Sequence, residues 1–473
     1  MKQIDVLPDD VLLEIFDFYM IMNPLYTGST PVYAWQPLVH VCRRWRNLVF
    51  GSPRRLKLRL LCTSTTPVKD RLDVWPALPL VIVGDMTYSS DNVIAALGQS
   101  NRVREVDMSL PGWQLEKVLA PMQVPFPELT VLQLFSEPEA EAETPVIPDS
   151  FLGGSAPRLQ VFNLTCTPYP GLPKLLLSAT HLVNLSLYGI PHSGYISPEA
   201  MVALLPVLSS LETLSLGFLS PQSLPDFERR SLPPPNRFIL PSLKEFYFNG
   251  VTEYLEELVT CVDAPQLDQL NITLFKQINF GCPRLAQFIN TPKLKALNEA
   301  HVQFHDSTTD VRLRSRTSKD SRPRFCNLQI EIEPDWQLSS IKQVCNSLHR
   351  PLSTVEYLYI EYKYRELVWK NINDDIEDIL WLELLLPFPA AKDLYLFEEF
   401  APAIVATLQE LVGGIITATE VLPSLQKIFV EGLEPSGPFQ ENIGQLIATR
   451  HLSGYPITIS IWDKDVDSDV WPM

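Results

Sequence analysis

The chain has 473 residues, 46% of them hydrophobic and 20% charged, and 38 basic against 55 acidic residues leave a formal charge of −17. This length exceeds what one compact core sustains, so several domains or a repeat array are expected. The acidic balance disfavours nucleic acid and anionic membranes as partners, because neither phosphate array would find counter-charge.

At the N-terminus, residues 1–16 (MKQIDVLPDDVLLEIF) carry acids within the apolar stretch and have no small-residue cleavage site, unlike a signal peptide. Within them, LPDDVLLEIF reads as a helix start. Pro8 suits the first turn, and Asp9, Asp10 and Glu14 complement its positive end. Leu12, Ile15, Phe16 and Tyr19 share one face. A loop bearing Pro and Gly at 23–31 ends this helix, and PLVHVCRRWRNLVF at 37–50 repeats helical spacing through Leu38, Val41, Cys42, Trp45 and Leu48.

By composition this is a helical hairpin with an apolar seam. Its two phrases, L-P-x-D-x-L-x-x-I-F and L-V-x-V-C-R-R-W-R-x-L, resemble the F-box over roughly the first tenth of the chain. The longer loop between them is similar to forms common in fungi of the mushroom lineage. The resemblance implies docking on the Skp adaptor of SCF ubiquitin ligases, whose cullin and RING subunits recruit the ubiquitin-charged enzyme. The chain would then be no enzyme but a receptor that selects an unknown target protein for ubiquitination and degradation. The family's adaptor contacts fall on Leu7, Pro8, Leu12, Ile15, Phe16, Val41, Cys42 and Trp45, some of which must hold the module together. Trp45 suits such a core role by its size. Arg43, Arg44, Arg46 and the SPRRLKLR run at 52–59 fit a solvated face or linker contact better than a nucleic-acid site.

Downstream, the phrase P-x-L-x-x-L-x-L recurs. It reads FPELTVLQL, APRLQVFNL, ATHLVNLSL, LSSLETLSL, LPSLKEFYF and APQLDQLNI up to Ile272, with later copies LSTVEYLYI, FPAAKDLYL and LPSLQKIFV. TPKLKALNE and RPRFCNLQI are weaker copies, and QSNRVREVDM resembles a first one. About a dozen units result, spaced by roughly 23–36 residues, the range of leucine-rich repeats. The last two apolar positions of each copy lie two apart, so they point to the same side of a strand. Helical stretches such as 197–208, 252–262 and 373–386 lie between copies. The expected fold is an α/β solenoid: the helical F-box, then an irregular leucine-rich-repeat horseshoe with a parallel concave sheet and outer helices. The Asn or Cys of the repeat consensus is missing at Glu137, Thr167, Ile190 and Leu219, which predicts uneven curvature. Of the 42 prolines, Pro127, Pro157, Pro241, Pro265, Pro292, Pro389 and Pro423 precede strands, where they would end a helix and favour extended backbone.

The expected boundaries are 1–60 for the F-box module, 61–98 for linker and N-terminal cap, 99–452 for the repeats and 453–473 for a C-terminal cap or tail. Loops are expected at 136–149 (acidic, Pro-rich) and 306–324 (basic, Ser/Thr-rich). The seven cysteines are dispersed without a C-x-x-C pair, and no apolar run suffices to cross a membrane, since 379–388 is broken by Glu383 and Pro387. A cytoplasmic or nuclear location follows, in which the sequons at Asn163, Asn184 and Asn271 stay unmodified.

For the target, early strands offer small polar groups such as Asn163, Ser186, Ser215 and Asn271. Later ones offer Tyr357, Tyr359, Glu361, Asp393, Tyr395, Phe397 and Phe429, with Lys427 and Glu431 beside them. Clustered outward aromatics mark protein-binding hot spots, unless the C-terminal stretch 455–471 folds over them. No P-loop, dinucleotide fingerprint, nucleophile elbow or H-E-x-x-H occurs, so no catalytic residue, cofactor or metal is assigned. His301 and His305 read as surface-loop residues rather than ligands. The alternative function is a protein-interaction scaffold outside any ligase.

Overall fold

Each copy of the repeated phrase folds as a tight turn feeding a strand. The computed structural model describes residues 7–22, 35–56, 58–66, 68, 72, 77–85, 91–137, 145–221, 237–290, 294, 297–315, 324–362, 374–410, 421–431, 438–452 and 454–462. The Leu129 amide donates to the Phe126 carbonyl at 3.2 Å, and the same bond spanning three residues recurs at Leu159, Leu182, Leu211, Leu243, Leu267, Leu297, Val355, Ala391 and Leu425. Pro127, Pro157, Pro241, Pro265, Pro389 and Pro423 occupy the second place of these turns. There the fixed φ is already the one required and no donor is lost. The strand-preceding prolines therefore set a β-turn rather than only ending a helix; Pro292 lies outside the described residues. The next apolar pair of each copy points inward. Leu132 and Leu134, Phe162 and Leu164, Leu270 and Ile272, and Ile428 and Val430 are at most 3% exposed.

Two compact units, 1–196 and 197–473, make up the chain. In the first, β1 (Leu60–Cys62), β2 (Leu80–Asp85), β3 (Val103–Pro111), β4 (Val131–Glu137), β5 (Val161–Thr165) and β6 (Asn184–Ile190) pair in chain order, all parallel. The sheet thus begins inside the stretch expected to be linker and cap, because Leu80, Val81 and Ile82 form a buried apolar run. Ser136 and Glu137 extend β4 into the expected loop 136–149, of which 138–144 lie outside the described residues. The head is α1 (Asp9–Met22), α2 (Gln36–Val41) and α3 (Arg43–Gly51). The second helix expected at 37–50 is thus two. Cys42 turns extended (φ −158°, ψ 170°), and its Sγ accepts the Trp45 amide at 3.5 Å, capping α3.

In the second unit, β7 (Thr213–Phe218), β9 (Glu245–Gly250) and β11 (Gln269–Leu274) are followed in space by β14 (Phe325–Glu331), β13 (Thr308–Arg314) and β12 (Glu299–Phe304). Then come β15 (Tyr357–Tyr362), β16 (Asp393–Leu396), β17 (Lys427–Glu431) and β18 (Thr458–Trp462). The short β8 (Phe238–Ile239) and β10 (Val262–Asp263) pair separately. Two expectations are corrected here. The sheet is not wholly parallel, since β13 runs antiparallel to both β12 and β14. The stretch 306–324 is not simply a loop, since 308–314 is that strand and only 316–323 lie outside the described residues. An odd number of strands in the meander returns the chain in its original direction, so β14 and β12 still pair parallel with β11 and β15. Thr309, Val311 and Leu313 supply the buried, period-two face that a charged surrounding sequence concealed. Helices Pro198–Leu204, Thr252–Cys261, Asp374–Leu385 and others lie between strands, completing an α/β architecture. No helix among the described residues is long and apolar enough to cross a membrane.

Candidate functional site

In the head, the residues assigned to adaptor contact divide between core and surface. Leu12 and Phe16 are buried at 1% and 0% exposure, and Phe16 meets Trp45 with ring centroids 4.7 Å apart. Ile15 and Val41 are 47% and 59% exposed, Pro8 is exposed, and Leu7, Cys42 and Trp45 are half-buried. Val11 and Phe18, which sequence reasoning passed over, are also exposed. With Ile15 they stand at i, i+4 and i+7, so the outer side of α1 carries an apolar stripe while Leu12, Leu13 and Phe16 fill the inner side. Four of the arginines are held by partners within the chain. Arg44 donates to the Leu7 carbonyl and to Asp9 Oδ1, at 2.5 and 2.6 Å, pinning the start of α1. Arg46 donates to the Val39 carbonyl, Arg55 to Glu14 and Arg59 to Glu105.

The later aromatics are brought together as a stack of rings across four strands. Tyr359 is the Cα partner of His301 on β12 and of Tyr395 on β16, and Tyr395 is that of Phe429 on β17. Their rings lie parallel within 4–9°, with centroids 4.2 Å (His301–Tyr359), 4.1 Å (Tyr359–Tyr395) and 4.5 Å (Tyr395–Phe429, at 6°) apart. Trp462 of β18 meets Tyr359 and Tyr395 edge-on at 5.8 and 5.4 Å. Tyr357, Tyr359, Asp393 and Phe429 remain half-buried, and Lys427 is exposed.

Three of the assigned residues do not face solvent as expected. Tyr395 is 7% exposed, held between two rings with Trp462 against its edge. Glu361 is 4% exposed because it turns to His301, its Oε1 lying 2.9 Å from Nδ1. Phe397 is 2% exposed; it sits just past the end of β16, where its amide donates to the Ile360 carbonyl and alternation no longer governs its direction. The C-terminal stretch does contribute Trp462 to the ladder; 463–473 lie outside the described residues.

His301 is no surface-loop residue either. It is 2% exposed in the middle of β12, with Nε2 2.6 Å from Glu299 Oε1 and the other ring nitrogen at Glu361. Arg314 of β13 donates from Nε and Nη2 to the same Glu299 oxygen at 2.8 and 2.5 Å. Burial pushes the Glu299 carboxyl up, but the hydrogen bond from His301 and the Arg314 charge outweigh it and hold it below its ordinary value. His305 reaches Asp310 at 3.2 Å. No group of His, Cys, Asp and Glu side chains among the described residues is placed to hold a metal ion. The only sequence signal for the cluster was alternation (Glu299, His301, Gln303) opposite Tyr357, Tyr359 and Glu361, and it depended on knowing which strands pair. The chain matches no protein-family model and no curated protein, so this geometry and the motifs themselves are what a functional reading has to rest on.

Proposed function

We propose that the chain is the substrate-recognition subunit of an SCF-type ubiquitin ligase, acting in the cytoplasm or nucleus without catalytic residues or cofactors of its own. Its F-box-like head would dock on the Skp adaptor, and through it on cullin and RING, while leucine-rich-repeat-like units hold a target protein. The observation that carries this reading is the exposed stripe Val11, Ile15 and Phe18 on α1, opposite a closed core of Leu12, Leu13 and Phe16, with Val41 likewise exposed at the end of α2. Apolar side chains at helical spacing, in a module too small to bury them itself, fit an adaptor groove. The F-box phrases at 7–16 and 38–48 support the same reading. On the target side, Tyr357, Tyr359, Asp393 and Phe429 would make contact, with Glu361, Tyr395 and Phe397 supporting them from below.

The test is co-purification of tagged full-length chain with Skp adaptor and cullin. Ile15→Asp with Val41→Asp should reduce recovery of both by more than about tenfold, since a charge at the centre of an apolar interface stays unpaired. Undiminished recovery by that variant would remove the docking assignment. Recovery of adaptor without cullin by the wild-type chain would instead favour the scaffold function.

A further inference from the structure

The inward row of the second unit ends on a residue that is not buried. On β17, Ile428 and Val430 are 0% and 1% exposed, whereas Ile461 of β18, the Cα partner of Val430, is 68% exposed. β18 is the last strand of its sheet, and among the described residues no strand pairs with its other edge. Natural edge strands are blunted by a charge, a proline or a bulge. Thr458–Trp462 (TISIW) has neither charge nor proline and pairs with β17 in unbroken register. Residues 453–462 hold no Asp, Glu, Lys or Arg, in a chain whose net charge is −17. Two such acidic chains repel each other in general, and at this edge they can approach without setting like charges together.

The backbone fixes how a second strand would meet this edge. The Thr458 amide donates to the Gln426 carbonyl at 2.9 Å, so Thr458, Ser460 and Trp462 turn their N–H and C=O groups towards β17. Ile459 and Ile461 turn theirs outward. An antiparallel copy of the same strand, related by a two-fold axis at Ser460, satisfies these groups, because Ile459 of each copy exchanges N–H···O bonds with Ile461 of the other. The side chains suit the same register. Ile459 of the second copy covers the exposed Ile461, and Trp462 lies across from Thr458 as an aromatic–β-branched pair. The small Ser460 meets its own copy where the two strands come closest.

We propose that the outer edge of β18 is a self-association surface, at which two copies of this chain pair antiparallel through Thr458–Trp462. The contact is isologous and uses up both edges, so association stops at two copies. A strand roughly 17 Å long buries less than the ~800 Å² per partner of a standard interface, so the pairing is reversible and depends on concentration. The inference does not rest on the ligase reading.

The test is disulfide trapping in the full-length chain. Ser460→Cys sets the two Cα atoms about 4.5 Å apart, within the roughly 4.4–6.8 Å that a disulfide spans. Thr458→Cys sets its two Cα atoms about 14 Å apart and serves as the register control. After oxidation with copper–phenanthroline, non-reducing electrophoresis should show at least about tenfold more covalent dimer for Ser460→Cys than for Thr458→Cys or the wild-type chain, which reads the native cysteines. Adding Ile461→Lys to Ser460→Cys should abolish trapping, as should adding Ile459→Pro, which deletes an outward donor and leaves the β17 ladder intact. An unchanged circular dichroism spectrum would verify folding of each variant. Sedimentation velocity of the wild-type chain should show dimer rising with concentration, and Ile461→Lys should remain monomeric. Equal trapping at 458 and 460, or trapping that survives Ile461→Lys, would overturn the proposal. So would a wild-type chain that stays monomeric at every concentration, an outcome that would leave this edge to a strand of a different protein.

Discussion

Replacing Glu299 by glutamine is expected to loosen the strands around β12 by about 2–4 kcal/mol. The side chain is 3% exposed, and one oxygen accepts from His301 Nε2 at 2.6 Å and from Arg314 at 2.8 and 2.5 Å. Glutamine keeps the shape but removes the charge that draws these donors together. Breaking a fully buried pair costs about 3–5 kcal/mol, and here the upper end is discounted because the Arg314 side chain is 29% exposed and reaches water. Hydrogen exchange of peptides covering β12 and β15 should then be roughly 30- to 1,000-fold faster, with strands of the first unit unaffected. Acidity supplies a second arm. The folded Glu299 carboxyl lies below its ordinary value, so its contribution is complete above the unfolded pKa of about 4.3 and is lost as pH falls through the folded one. Wild-type β12 should therefore gain exchange on acidification below about pH 4.3, relative to the variant, after correction for intrinsic rates. Exchange that changes by less than about threefold, or an identical acid response in the variant, would refute the assignment of Glu299 as the anchor of this cluster.

Other outcomes follow from single sites. Burial pushes the Cys326 thiol up to about 12 and the Cys282 and Cys345 thiols up as well, so native protein at pH 8 should leave these three unmodified by an aqueous thiol reagent, while the half-buried Cys42 and Cys166 react first; mass spectrometry of labelled peptides would read the order. Gly189 has φ of +63°, and an added Cβ would lie 2.6 Å from Cys166 Sγ, so Gly189→Ala should lower stability by about 1–3 kcal/mol in urea titrations. Arg450 is 1% exposed, and Nη2 donates to the Val421 carbonyl at 2.9 Å, while Nε and Nη1 have no hydrogen-bond partner among the described residues. Arg450→Met should therefore be neutral or stabilising, and a loss beyond about 1 kcal/mol would show that the charge is compensated.

Much of the fold was legible because the repeat phrase carries its own physics. Proline at the second turn position, leucine at the turn's end and two apolar residues spaced by two specify turn, strand and inner face locally, wherever the copy lies. Legibility failed where geometry depends on a neighbour. Thr308–Arg314 looks like a polar loop because its outward residues, Asp310, Arg312 and Arg314, are charged; they are accommodated by His305, Asn327 and Glu299 on other segments or strands. His301 looked like a surface residue for the same reason, since its partners lie on β12 itself and, sixty residues on, at Glu361.

The sequence by itself determined the helical head, the period of the strands, the inward residues of each repeat and the expectation that later strands present aromatics. These are matters of spacing along one segment. Only the tertiary structure decided that β12 to β14 form a meander, that Tyr359, Tyr395 and Phe429 stack on His301, and that Glu361 and Phe397 turn inward. Side-chain stacking and buried ion pairs arise from which strands become neighbours and in what register, and strand order follows from how the whole unit closes its core.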